Sequence, residues 1–85
     1  MVIHTIGGRE YDFGVEDVEE RMSKVEPARI TKTTFTARIL GANYPVKQVV
    51  CVLTGLHSGD FLTLEACLAL ERLGYKMRLS RHKPW

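Results

Sequence analysis

Residues 45–73 read PVKQVVCVLTGLHSGDFLTLEACLALERL, and this is the densest apolar part of the 85-residue chain. Two helical patterns flank a polar loop at residues 57–60. A helix from Tyr44-Pro45 to about Gly55 has a buried stripe formed by Val46, Val49, Val50 and Leu53. A second helix, from Thr63 to Leu73, has a broad apolar face made of Leu64, Ala66, Cys67, Leu68, Leu70 and Leu73. Because both patterns have helical spacing, we expect this helix–loop–helix to form the core.

The ends of these two helices have recognisable signals. Pro45 suits the first helical position, where the missing N–H costs nothing. Thr63 is the predicted N-cap of the second helix, since its hydroxyl can accept a hydrogen bond from a free N–H of the first turn. Gly74 fits the left-handed position that follows a helix.

Strand patterns lie on both sides of this segment. Residues 2–6 and 9–13 alternate around Gly7-Gly8, which predicts a β-hairpin because glycine accepts positive φ. Residues 30–40 are rich in β-branched side chains and residues 75–80 alternate apolar with polar, so each is a predicted strand. Gly41-Ala42-Asn43 is a predicted turn.

One more helix is predicted between the hairpin and the first long strand, from Gly14 to Val25. Its narrow apolar stripe consists of Val15, Val18, Met22 and Val25. The resulting order is β-β-α-β-α-α-β. It favours an α+β fold with a small antiparallel or mixed sheet and three helices. We expect residues 1–85 to form a single domain with a short basic C-terminal tail at residues 81–85.

The net charge of +2 is unevenly distributed along the chain. Residues 1–26 carry seven acids and three bases (−4), whereas residues 27–85 carry nine bases and three acids (+6). This imbalance predicts one acidic and one basic face, unless folding interleaves the two halves.

Neither catalysis nor a metal site is predicted. The neighbours His57 and Ser58 carry no family signature of a catalytic pair, and Gly7-Gly8 is not followed by the Lys-Ser/Thr of a phosphate loop. Two cysteines 16 positions apart and three scattered histidines do not supply a zinc site. We therefore expect a non-enzyme with no cofactor. No apolar run reaches the roughly 18 residues that span a bilayer, and no secretory signal begins the chain, so we expect a cytoplasmic protein that does not enter a membrane.

Lys47 and Gln48 are candidates for anion binding at the start of the first core helix. A lysine in the first turn faces the positive end of the helix dipole, which is locally unfavourable, and it lies beside free backbone N–H groups. This placement suits an anion site. The alternative is an ordinary solvated lysine.

A second basic set lies near the C-terminus. Lys76 and Arg78 share one face of the last predicted strand, and aromatic Tyr75 and Trp85 flank the set and could stack on bases. The full predicted nucleic-acid-binding set comprises Lys47, Gln48, Arg72, Lys76, Arg78, Arg81 and Lys83, with His82 beside it. The alternative here is a solvated polar strand face with a soluble tail.

Several short motifs resemble a known family. Thr36-Ala-Arg-Ile-Leu-Gly-Ala-Asn-Tyr-Pro-Val-Lys-Gln48, then Asp60-Phe61, then Leu73-Gly74-Tyr75 are similar to a pattern in the N-terminal head domains of McrA-like, modification-dependent HNH endonucleases and in small bacterial proteins of unknown role. The likeness covers roughly residues 33–80. It implies an accessory DNA-binding or docking domain in which Tyr44, Pro45 and Lys47 are the motif residues. The nuclease and the modified-base reader of that family have no counterpart here.

Two functional hypotheses follow. The first is a binding module that contacts nucleic acid through its phosphates, which would make binding salt-dependent and weakly sequence-specific. The second is a protein-interaction module, either a homodimer or an antitoxin-like or regulatory partner, because a small core gains from association.

Overall fold

A computed structural model describes residues 2–30 and 33–81 of the chain. Within that part, five strands and three helices follow each other, with a short 3₁₀ turn at Ser58–Asp60. The strands are β1 (Ile3–Ile6), β2 (Arg9–Asp12), β3 (Thr33–Ile39), β4 (Ala42–Pro45) and β5 (Met77–Arg81). The helices are α1 (Val15–Met22), α2 (Val46–Thr54) and α3 (Thr63–Arg72). The predicted α+β class and element order are confirmed, with β4 as an additional short strand.

The strands form two antiparallel sheets. β1 and β2 make the predicted hairpin around Gly7 and Gly8, whose φ angles of 60° and 80° are those of a tight hairpin turn. The other sheet has the order β4-β3-β5, so β3 is its central strand.

The core lies between the inner face of the three-stranded sheet and the helices. Ala37 and Ile39 of β3 are buried there, and so is Tyr44 of β4. The helices contribute Val18 and Met22 from α1, Val46, Val49 and Val50 from α2, and Ala66, Ala69 and Leu70 from α3. Burial of these apolar faces supplies the main driving force for folding.

Tyr44 also connects the sheet to the end of α1. Its hydroxyl donates to the Val25 carbonyl just beyond the helix at 2.8 Å, and the Met22 carbonyl at the helix end lies 3.1 Å from the same oxygen. This bond gives the buried phenol a partner and fastens the segment after α1 to the sheet.

Several predicted boundaries were wrong by a few residues. α1 ends at Met22 rather than Val25. Pro45 is the N-cap of α2, not its first helical residue, because it still belongs to β4. Leu62 is the N-cap of α3, and Thr63 is the first residue of that helix. The turn after β3 consists of Leu40 and Gly41 instead of Gly41-Ala42-Asn43. Ala42 and Asn43 already belong to β4, where they pair with Ile39 and Arg38 of β3.

The broad apolar face predicted for α3 was also wrong in part. Ala66 and Leu70 are buried as expected, but Leu64 is 64% exposed and Leu68 is 50% exposed. A helix with leucines all around its surface gives little contrast between its inner and outer faces, and packing decides which face is buried.

Two α3 side chains hold the outer edge of β1. In the hairpin register, the backbone N–H and C=O groups of residues 4 and 6 point towards β2. Those of Ile3, Thr5 and Gly7 therefore point to the opposite, outer edge of β1. The Glu65 carboxylate accepts a hydrogen bond from the Gly7 N–H at 3.0 Å, and an Arg72 N–H donates to the Ile3 carbonyl at 3.3 Å. The edge strand is therefore covered by a helix, which blunts unwanted strand pairing.

Glu65 also caps its own helix, and this predicts a pH effect. Its carboxylate accepts the Leu62 N–H at 2.9 Å, and the hydrogen bonds from Leu62 and then Gly7 lower the pKa of Glu65. A lowered folded-state pKa means that the stabilisation is complete above the ordinary glutamate pKa of about 4.3 and is lost as pH falls through the lower folded value. We expect Glu65→Gln to be less stable than the wild type at pH 7, and the difference to shrink as the pH falls below about 4.

Urea midpoints measured across this pH range test the prediction. Glu16→Gln is the matched control, because Glu16 is exposed and accepts no hydrogen bond in the described part of the chain. A stability difference between the wild type and Glu65→Gln that stayed constant down to the acid limit would contradict the role of these hydrogen bonds.

Candidate nucleic-acid interface

A polar groove lies on the outer face of the three-stranded sheet, opposite the core. It has a volume of about 330 Å³ and is lined by Thr36, Arg38, Asn43, Lys76 and Arg78. The three cations are exposed, whereas Thr36 is buried and donates its hydroxyl to the Arg78 carbonyl at 3.3 Å. The predicted pair Lys76 and Arg78 is thus joined by a third cation.

Strand register explains why these residues meet. Arg38 pairs with Asn43 across β3 and β4, and Thr36 pairs with Arg78 across β3 and β5. Lys76 lies one step beyond the last pair of the β3–β5 ladder, Ala37 with Met77, and so comes beside Arg38. Neighbouring strands are about 4.8 Å apart and same-face residues of one strand about 7 Å apart, so the cations share one small area.

No acid neutralises this area. In the described ranges 2–30 and 33–81, none of the three cations forms an ion pair, and no acidic side chain lines the groove. Like charges opposite each other on neighbouring strands destabilise a sheet. The mutual repulsion of these cations therefore does not help to hold the strands together.

Lys47 lies elsewhere and has protein partners. Its ammonium group donates to the carbonyl oxygens of Ser58 at 2.7 Å and Phe61 at 2.9 Å, and it lies 5.2 Å from the centre of the Phe61 ring. These contacts tie the start of α2 to the 3₁₀ turn and account for a lysine in the first helical turn. Anion binding by Lys47 stays a prediction, and the residue does not line the groove.

Two other predicted residues also contact the backbone. The Gln48 side chain donates to the Glu26 carbonyl at 2.8 Å and accepts from the Ala28 N–H at 2.7 Å, which fastens the segment after α1 to α2. Arg72 lines a separate cavity of about 120 Å³ between β1 and α3. Neither residue belongs to the outer sheet groove.

The remaining predictions concern the C-terminal end. The backbone of Arg81 ends β5, but its side chain and all of His82, Lys83 and Trp85 lie outside the described residues. Tyr75 packs against the core, and its buried hydroxyl has no hydrogen-bond partner among the described residues. Burial, followed by the charge of Glu19, raises the pKa of Tyr75. This ring is therefore not free to stack on a base.

The sequence-based set missed Arg38 and Asn43. Arg38 shares the parity of Thr34 and Thr36 on the polar face of β3, so a signal existed, but its pairing with the last strand was needed to bring it beside Lys76. The sequence predicts a turn at Asn43, whereas β4 gives this residue a defined position opposite Arg38.

Metal-ligating side chains and thiols are the other groups that could carry chemistry. No three His, Cys, Asp or Glu side chains come together there in a group that could hold a metal ion. Cys51 and Cys67 are free thiols, and burial raises the pKa of both. A raised pKa keeps a thiol protonated and weakly nucleophilic. No helix among the described residues is long and apolar enough to cross a membrane.

Comparison with known protein families identifies the family to which the chain belongs. A family described as SCO5918-like matches residues 4–85, nearly the whole sequence, so the chain belongs to this family, whose function is unknown. No curated protein and no solved structure matches the chain. The resemblance to McrA-like head domains is not tested by this match and stays a prediction.

The contacts of Lys47 predict a structural role for its charge. Lys47→Met keeps the apolar stem and removes the ammonium group, and we expect it to lower the free energy of unfolding by about 1.5–3 kcal/mol, the range for hydrogen bonds to charged groups. Lys24→Met is the matched control, because the Lys24 side chain is exposed and has no partner in the described structure. It should change stability by less than about 0.5 kcal/mol in urea unfolding. Equal stability of the two variants would show that the Lys47 bonds contribute nothing.

Proposed function

We propose that this member of the SCO5918-like family is a small non-catalytic module that binds nucleic acid through phosphate contacts at the outer sheet groove. The observation that carries the proposal is the grouping of Arg38, Lys76 and Arg78, with no acid beside them in the part of the chain that the structure describes. Such a grouping costs stability in the free protein, and a bound polyanion would remove that cost.

The polar groups of the groove suit phosphate oxygens. Arg38 and Arg78 can each donate two parallel hydrogen bonds to a phosphate, and Lys76 adds a point charge. The exposed Asn43 amide has no partner in the described structure and is a further donor. Among the described residues 2–30 and 33–81, no aromatic side chain lines the groove, so contacts to the phosphate backbone rather than stacking on bases would supply the affinity.

The distribution of charge over the fold also supports the proposal. α1 carries the acidic cluster of the N-terminal half and lies with the helices on the inner side of the sheet, whereas the three cations lie on the outer side. This separation leaves the outer face free to attract a polyanion over a distance of roughly a Debye length. We place this activity in the cytoplasm, where free thiols such as Cys51 and Cys67 persist.

A second candidate is a protein-interaction module. It is favoured by the exposed leucines at and near the start of α3, since Leu62 is 67% exposed and Leu64 and Leu68 are also largely uncovered. Adjacent exposed apolar side chains are typical of surfaces that contact another protein. These leucines do not line the basic groove, so the two candidates can be tested separately.

Binding to a short DNA duplex and to its single strand, measured by fluorescence anisotropy between about 50 mM and about 200 mM salt, tests the proposal. With three phosphate contacts we expect the logarithm of the binding constant to fall with the logarithm of salt concentration with a slope of about −2 to −3. The double variant Lys76→Glu/Arg78→Glu should reduce that slope by about 2 and abolish most of the binding.

Two controls separate the groove from general effects. Arg9→Glu/Lys24→Glu makes the same change in net charge at exposed positions outside the groove, and it should leave most of the binding intact. Leu64→Lys/Leu68→Lys alters the surface of the second candidate and should not weaken DNA binding. Absence of wild-type binding even at the lowest salt, or equal losses in both charge-reversal variants, would contradict the proposed function.

A further inference from the structure

Leu40 occupies a backbone conformation that leucine disfavours. It lies with Gly41 in the two-residue turn between β3 and β4, and it has a φ of 52°, the one positive value for a non-glycine residue in the described part of the chain. A Cβ atom is crowded in this left-handed region, where asparagine and glycine are the usual residues of such a turn. A leucine here therefore costs free energy that a common turn residue would not.

Burial does not compensate for this cost. The Leu40 side chain is 56% exposed, so it contributes little to the core. Neither local conformation nor packing accounts for an apolar side chain at this position. Backbone strain of this kind clusters at binding and active sites.

The position of Leu40 relates it to the groove. The pair Ile39–Ala42 closes the turn, and the next pair along the two strands is Arg38–Asn43. Both residues of that second pair line the groove. The hairpin tip is thus an exposed apolar side chain at the end of a surface that carries three cations. Nucleic-acid-binding proteins that kink their target combine these two parts, a cationic surface for the phosphates and an apolar wedge between adjacent bases.

We propose that Leu40 inserts between neighbouring bases of the bound nucleic acid while Arg38, Lys76 and Arg78 hold the flanking phosphates. This inference rests on the proposed function. The ligand that such a wedge would prefer is a duplex with a flexible or mismatched base step, because unstacking two bases is least costly there. The tip would favour such sites without reading base edges.

The variant Leu40→Asn separates binding from folding. Asparagine accepts positive φ, so its urea midpoint should equal or exceed that of the wild type. Its affinity for a duplex with a central mismatch should fall about tenfold, because the apolar contact is lost. The salt slope should stay unchanged, since the phosphate contacts remain. Leu40→Met keeps an apolar side chain and should keep most of the affinity.

A fluorescent base analogue at the mismatched step gives a direct signal. 2-Aminopurine brightens when it is unstacked, so the wild type and Leu40→Met should raise its emission on binding and Leu40→Asn should not. The wild type could bind with the expected salt dependence while Leu40→Asn shows the same affinity and the same emission. That result would overturn the insertion of Leu40 but not the phosphate contacts at the groove. A Leu40→Asn protein less stable than wild type would overturn the strain argument. Absence of wild-type binding to any duplex at low salt would overturn the proposed function together with the wedge.

Discussion

The register of β3 is the constraint on which the rest of the structure depends. Its odd-numbered residues Ala37 and Ile39 pack against the helices, so the even-numbered Thr36 and Arg38 face outward. A slip of one residue would expose the core set and bury an arginine, so the apolar packing holds the register. Because β4 and β5 both pair with this strand, the same packing sets the positions of the other cations and of the turn at Leu40.

Polar side chains on the helices hold the connecting segments to this frame. Lys47 binds the carbonyls of the 3₁₀ turn, Gln48 binds the segment after α1, and Glu65 binds the turn of the first hairpin. Each contact satisfies backbone groups that loops would otherwise leave to water. Two of these residues, Lys47 and Gln48, belong to the set that the sequence predicts to bind nucleic acid. The helix layer therefore uses charged and polar groups for the fold, whereas the cations of the outer sheet face have no ion-pair partner among the described residues.

Much of the fold could be predicted from periodicity, and the failures have physical reasons. The stripe of Val46, Val49 and Val50 has helical spacing and is buried as expected. β4 was hidden because a four-residue strand between Gly41 and α2, ending in Pro45, looks like a turn. Within the site, alternation along the last strand indicated Lys76 and Arg78. Arg38 comes beside them only because β3 pairs with β5, which is distant along the chain. The backbone partners of Lys47 lie 11 and 14 residues away along the chain. Local spacing could therefore predict neither the place of Arg38 in the groove nor the contacts of Lys47.

The proposed nucleic-acid site is the groove on the outer face of this sheet, and NMR chemical-shift mapping tests that proposal most directly. A short DNA duplex with a central mismatch would be titrated at low salt into the isotope-labelled 85-residue chain. The account predicts that the largest backbone amide shifts occur at Arg38, Asn43, Lys76 and Arg78, with smaller shifts on the helix layer. Shifts centred on Lys47 and the 3₁₀ turn, or no shifts at all, would contradict it.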